Sequence, residues 1–169
     1  MPVTIAGNNT PTAGGVGYGD GTNLAFTTAG TSGQILSSNA TSAPSWTSTL
    51  ASATLNAPTI TNYTESVVAI GTVTTSNTIS LTNGTVQTAT LTASTACTFT
   101  MPTATAGKSF ILLLKQAAST GNGTATFTGV KWPTAGAPTI TATAGSMDIL
   151  SFVADGTNWY GSYIQGYTP

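Results

Sequence analysis

The sequence predicts an all-β protein, an extended N-terminal arm and neck followed by an antiparallel β-sandwich or jelly-roll-like knob. Three observations carry this expectation. From Glu65 onward, short runs rich in Val, Ile, Thr and aromatic residues alternate with Gly, Pro and Asn-Gly breaks, and no helical period interrupts them. Near the end, MDILSFVADGTNWYGSY (147–163) places two strand-like arms around an Asp155-Gly156 turn. Before residue 47, by contrast, apolar anchors are isolated among Gly, Ser and Thr, too few to form a core of their own.

Taken in order, residues 1–15 hold two prolines and three glycines and read as an extended arm. Two strand-like pieces follow, VGYGDGTNLAF (16–26) and GQILSSNATSAPSW (33–46), anchored by Tyr18, Leu24, Phe26, Ile35, Leu36 and Trp46. Residues 47–64 are hydroxyl-rich, and their anchors Leu50, Leu55, Ile60 and Tyr63 fit neither an amphipathic helix nor a clean strand. This segment reads as a linker or interwound neck, with Pro58 favouring an extended course. The divisions are therefore 1–46, 47–64 and 65–169.

Within the last division the expected strands are 66–73, 77–82, 85–93, 96–101, 109–116, 124–129, 137–143, 147–154 and 157–165. Asn83-Gly84 is a type I′ hairpin signal between the second and third of these. Two strands are apolar on both faces. In SFILLLKQ, Phe110, Leu112 and Leu114 oppose Ile111 and Leu113, while in MDILSFVA, Leu150 and Phe152 oppose Met147, Ile149 and Val153. A half-exposed antiparallel strand should carry one polar face. One face is thus expected to cover the core and the other to meet another subunit, unless the strand is central and covered on both sides within its own chain. The candidate subunit contacts are Phe110, Leu112, Leu114, Ile149, Val153 and Trp159.

Composition bounds the function. Only 4% of residues are charged, where ordinary soluble domains approach a quarter, and the net charge is −1. A chain so lacking in mutual repulsion is expected to self-associate or join a larger assembly. Lys108, Lys115 and Lys131 are the only cations and lie on separate segments, which argues against nucleic acid and a polybasic membrane anchor. The N-terminus has no basic, apolar leader pattern, and no stretch is apolar enough to span a bilayer as a helix, so neither secretion nor membrane insertion is expected. Cys97 alternates with Phe99 and Met101 and reads as a small buried hydrophobe.

Catalysis has few candidates. There is no histidine, and Asp148 and Asp155 are the only carboxylates close in sequence. Asp155 reads as a turn former and Asp148 as a solvated strand position, although an intersubunit hydrolase could in principle pair them. Zinc and calcium spacings are missing, and the glycines between Gly14 and Gly21 accompany no lysine, so no cofactor or metal is expected. Asn-x-Thr triplets, at Asn83 and Asn122 among others, are expected by chance in so Thr-rich a chain. Trp132 and Tyr167, in a loop and in the tail, are the aromatics most open to a receptor or a sugar ring.

The segment TAGGVGYGDGTNLAFTTAGTSGQILSSNATSAPSW resembles a module of fibre and tail proteins of tailed bacteriophages, with a glycine-bracketed aromatic strand, a GQILSS run and a P-S-W ending. The segment GVKWPTAGAPTITATAGSMDILSFVADGTNWYGSYIQGY is similar to the C-terminal β domain of such fibres. The resemblance implies a non-enzymatic homotrimer on the surface of the virion, made in the host cytoplasm. Residues 1–46 would attach to capsid or tail proteins, and 65–169 would project as the knob. Lacking a long shaft, the chain fits a short fibre or decoration protein. The alternative is a tail-fibre adhesin whose knob binds a host surface glycan or envelope receptor.

Overall fold

The computed structural model describes residues 11–51 and 53–169, and among these all regular structure is β. Residues 1–10 of the expected arm lie outside the described residues. The chain divides into two compact units at Ile60/Thr61.

The first unit holds two small hairpins. Strand β1 (Gly17–Gly19) pairs with β2 (Leu24–Phe26), and β3 (Ile35–Asn39) pairs with β4 (Ser42–Thr47), both antiparallel. Asp20 caps the first turn, its Oδ1 accepting from Thr22 N–H at 2.8 Å and Asn23 N–H at 2.6 Å. Ala40, with φ 57°, supplies the left-handed residue of the second. Trp46 fastens the second hairpin to the segment that leaves the first, because its indole N–H donates to Thr28 O at 2.8 Å. Its ring lies so close to Gly30 that a Cβ there would be 2.6 Å away. The two strand-like pieces expected from sequence at 16–26 and 33–46 are each a hairpin.

The second unit is organised by parallel pairing. Strands β5 (Val67–Val73), β7 (Val86–Leu91) and β9 (Ser109–Lys115) lie side by side and parallel, bringing Val67, Val86 and Ile111 level with one another. Strands β6 (Ser76–Thr78), β8 (Ala96–Thr100) and β10 (Thr124–Thr128) form a second parallel sheet. The chain thus alternates between two sheets, advancing one strand position per circuit, in the manner of a β-solenoid. Beyond β9 the larger sheet continues with β12 (Met147–Ala154), β13 (Trp159–Tyr167) and β11 (Val130–Lys131), and here β9, β12 and β13 are antiparallel neighbours.

This corrects the expected antiparallel sandwich or jelly roll. A parallel pair needs a crossover, and here a strand in the opposite sheet supplies it, so short turns join different sheets instead of closing hairpins. Asn83-Gly84 is accordingly a corner between β6 and β7, not a hairpin turn. Glycine is required there because a Cβ would collide with the Ser66 carbonyl. The expected strand at 137–143 is also absent. Its backbone is held by side chains instead, with Thr141 N–H donating to Asp148 Oδ2 at 2.8 Å and Thr141 O accepting from Gln116 Nε2 at 2.7 Å.

The core lies between the two sheets. Leu91, Phe110, Leu112, Leu114, Leu150 and Phe152 point inward from the larger sheet and meet Ile79, Cys97 and Phe99. Each such side chain contributes roughly 1.5–3 kcal/mol by leaving water. Rings close one end. Phe110 stacks on Phe152 with centroids 4.6 Å apart, Trp159 meets Phe110 edge-on at 5.3 Å, and Trp159 N–H donates to Pro102 O at 2.8 Å.

Candidate functional site

Alternation along β9, β12 and β13 sends every second residue away from the core, and many of those residues are apolar too, interspersed with Ser109, Lys115, Ser151 and Ser162. The register builds them into rows. Ala69, Thr88, Leu113, Ile149 and Ile164 cross the sheet in one row, flanked by Val67, Val86 and Ile111 on one side and by Met147 on the other. Val67, Val153 and Ile164 are 62%, 51% and 63% exposed, so nothing among the described residues covers this face. Five strands about 4.8 Å apart and some seven residues long span on the order of 500 Å². Thr88, Lys115, Ser151 and Ser162 share that area, so its apolar part lies within the roughly 300–600 Å² that the largest patch on a monomer occupies.

At one end the face opens into a groove of about 440 Å³. Ile111, Val153 and the Tyr160 ring form its apolar walls, and Ser109, Ser151 and Ser162 line it with hydroxyls. Glu65 closes the rim and accepts a hydrogen bond from Thr85 Oγ1. At the opposite end a second hollow of about 340 Å³ lies over Leu113, Lys115, Met147 and Pro169.

The structure sorts the candidate subunit contacts. Phe110, Leu112, Leu114 and Trp159 are buried within the single chain, which removes them as contacts for another subunit. Ile149 and Val153 do face outward, and Ile111, Leu113 and Ile164 join them. Both faces of β9 read alike in sequence, so alternation could not say which one the second sheet would cover. Ile164 carries no clear sequence signal, because Tyr163 precedes it and two large side chains in a row blur the alternation.

Trp132 is not an open platform. It is half-buried, edge-on to Phe127, Phe152 and Tyr163 with centroids 5.7 to 6.0 Å apart, and seated on Gly161. Tyr167 is 39% exposed, at the end of β13 level with Met147.

The two aspartates have distinct structural duties. Asp148 is buried, not solvated. Burial alone would raise its carboxyl, but hydrogen bonds from Thr141 N–H, the Gln165 amide and Gly166 N–H outweigh it and hold the group below the usual carboxylate range. Asp155 shapes the β12–β13 turn. Its Oδ1 accepts from Asn158 N–H and Thr157 N–H, each at 2.7 Å, and its Oδ2 from the Tyr160 hydroxyl, all of which lower its pKa. Seven residues of extended strand put the two carboxylates roughly 23 Å apart, beyond the ~5–9.5 Å that glycoside hydrolysis uses. Among the described residues no three His, Cys, Asp or Glu side chains converge as a metal site would require, and no helix is long and apolar enough to cross a membrane.

No protein-family model, curated protein or solved structure matches this chain.

Proposed function

We propose that this chain is a non-enzymatic structural protein of a virion, a homotrimeric short fibre or decoration protein attached through residues 1–46. The observation that carries the reading is the bare apolar face of the larger sheet. On a chain with 4% charged residues, such a face is suited to a covering surface. The neck supports the same reading, since Leu50, Leu55, Ile60 and Tyr63 are all more than half exposed. Apolar anchors on a segment whose described residues beyond Thr47 form no strand or helix are suited to packing against sister chains.

In this reading the parallel coils are a rigid projecting body rather than a jelly roll, and the hairpins of the first unit carry the attachment surface. Light scattering on the full chain tests the assembly. A trimer mass is expected, and a monomer at micromolar concentration overturns it. Antibody against the protein should label phage particles in electron micrographs, and unlabelled particles would refute the virion assignment.

The groove beside Tyr160 favours one second reading, an adhesin that takes a host glycan. A ring wall with hydroxyls and a carboxylate at the rim is chemistry that suits a sugar. Label confined to the tail tip would favour the adhesin, and label over the capsid the decoration protein.

A further inference from the structure

Asn83-Gly84, which reads as a hairpin turn, closes no hairpin, and its chemistry is left unused by the fold. We infer that Asn83 is a site of spontaneous deamidation and isoaspartate formation, and that the fold protects the other Asn-Gly pair, Asn122-Gly123, from the same reaction.

The reaction needs two freedoms, a backbone N–H after the asparagine that is not donating elsewhere and a side-chain amide that can swing onto it. Four Asn-Gly or Asp-Gly pairs occur in the chain, and three are tied down. Gly123 N–H donates to the buried Oε1 of Gln116 at 3.0 Å, which withholds the nucleophile behind Asn122. The Asp20 carboxylate accepts from Thr22 and Asn23, and the Asp155 carboxylate from Thr157, Asn158 and Tyr160. At the remaining pair, the Gly84 N–H donates to no described residue, and the exposed Asn83 side chain has no hydrogen-bond partner among them. The β6–β7 corner has no ladder to either side of it at these residues.

In the step itself the Gly84 nitrogen loses its proton and bonds to Asn83 Cγ. The Cγ–Nδ2 bond breaks, and Nδ2 leaves as ammonia. Water then opens the succinimide ring at one of its two carbonyls. One opening returns an ordinary aspartate, and the other leaves the chain running through the side-chain carbon as isoaspartate. Either product adds one negative charge to a chain whose net charge is −1.

The isoaspartyl product lengthens the backbone by one methylene beside a tight spot. Gly84 already sits against the Ser66 carbonyl, and its own carbonyl accepts from Nε2 of the fully buried Gln87 at 3.3 Å. Among the described residues Gln87 Oε1 has no partner, and the Ser80 and Gly84 carbonyls are the groups that anchor that amide. Ageing at Asn83 therefore loosens the β6–β7 corner of the solenoid.

The test is peptide mapping of the full-length protein after incubation in mildly alkaline buffer, with isoaspartate detection, in the folded state and in urea. In urea the two Asn-Gly pairs should convert alike. In the folded protein, conversion at residue 83 should exceed that at residue 122 several-fold. Gln116→Ala should raise conversion at residue 122, and Asn83→Gln should remove the signal from the corner. An intact Asn83 in the folded protein, or equal conversion at both sites, overturns the inference, and the wild-type comparison decides it even where Gln116→Ala does not fold.

Discussion

The indole of Trp132 rests directly on the backbone of Gly161, so that a Cβ at that glycine would lie 2.5 Å from the ring. Residue 161 points inward from β13, level with Phe152, and the indole fills the space a side chain would take. The glycine is needed for room rather than for an unusual backbone angle. Gly161→Ala should destabilise the second unit by about 1–3 kcal/mol through overpacking. A denaturant midpoint equal to that of the wild type would refute the contact.

If the outward face builds the proposed trimer, charges placed on it should separate assembly from folding. Leu113→Lys with Ile164→Lys puts two ammonium groups in the middle apolar row, where partners would have to desolvate them. Light scattering is expected to report a monomer, while the β-type circular dichroism spectrum stays unchanged. An intact oligomer would move the interface elsewhere.

Acid should weaken the fold through Asp148. Its folded pKa lies below the ordinary carboxylate value of about 3.9. The ionised form is therefore the one the native state favours, and its stabilisation is fully present above that value and lost as pH falls through the folded pKa. Stability should stay level from neutral pH to about 5 and decline below about 4, with Asp20 and Asp155 adding to the slope in the same direction. Asp148→Asn should be less stable at neutral pH and show a shallower acid decline in unfolding titrations. An unchanged slope would remove Asp148 as its source.

Gln116 is the clamp for the long connection between β10 and β12. Its amide donates to Gly123 O at 2.8 Å and Thr141 O at 2.7 Å, and its Oε1 accepts from Gly123 N–H. Gln116→Leu keeps the volume but leaves three backbone groups unanswered in a buried site, each costing about 1–3 kcal/mol. A fall of several kcal/mol is expected in chemical unfolding. Backbone amides around residues 121–143 should lose hydrogen-exchange protection before the larger sheet does.

Read alone, the sequence determined the all-β character and the positions of most strands. β-Branched runs bounded by Gly, Pro and Asn-Gly state where extended segments start and stop, and β9, β12 and β13 fall where that pattern puts them. It also determined that the β9 and β12 surfaces are apolar on both sides, and that Asp155-Gly156 turns the chain. Pairing was decided only by the tertiary structure. A glycine corner between two sheets and a glycine turn within one sheet use the same residues, so the sequence could not distinguish a coil from a hairpin. The same limit hid the outward face. Phe110 and Ile111 have similar hydrophobicity, and it is the docking of the β6–β8–β10 sheet on one side that buries the first and leaves the second exposed. Asp148 shows the converse. A lone charge in a strand reads as solvated until the chain returns through Thr141, Gln165 and Gly166 to surround it with donors, and those contacts exist only in three dimensions.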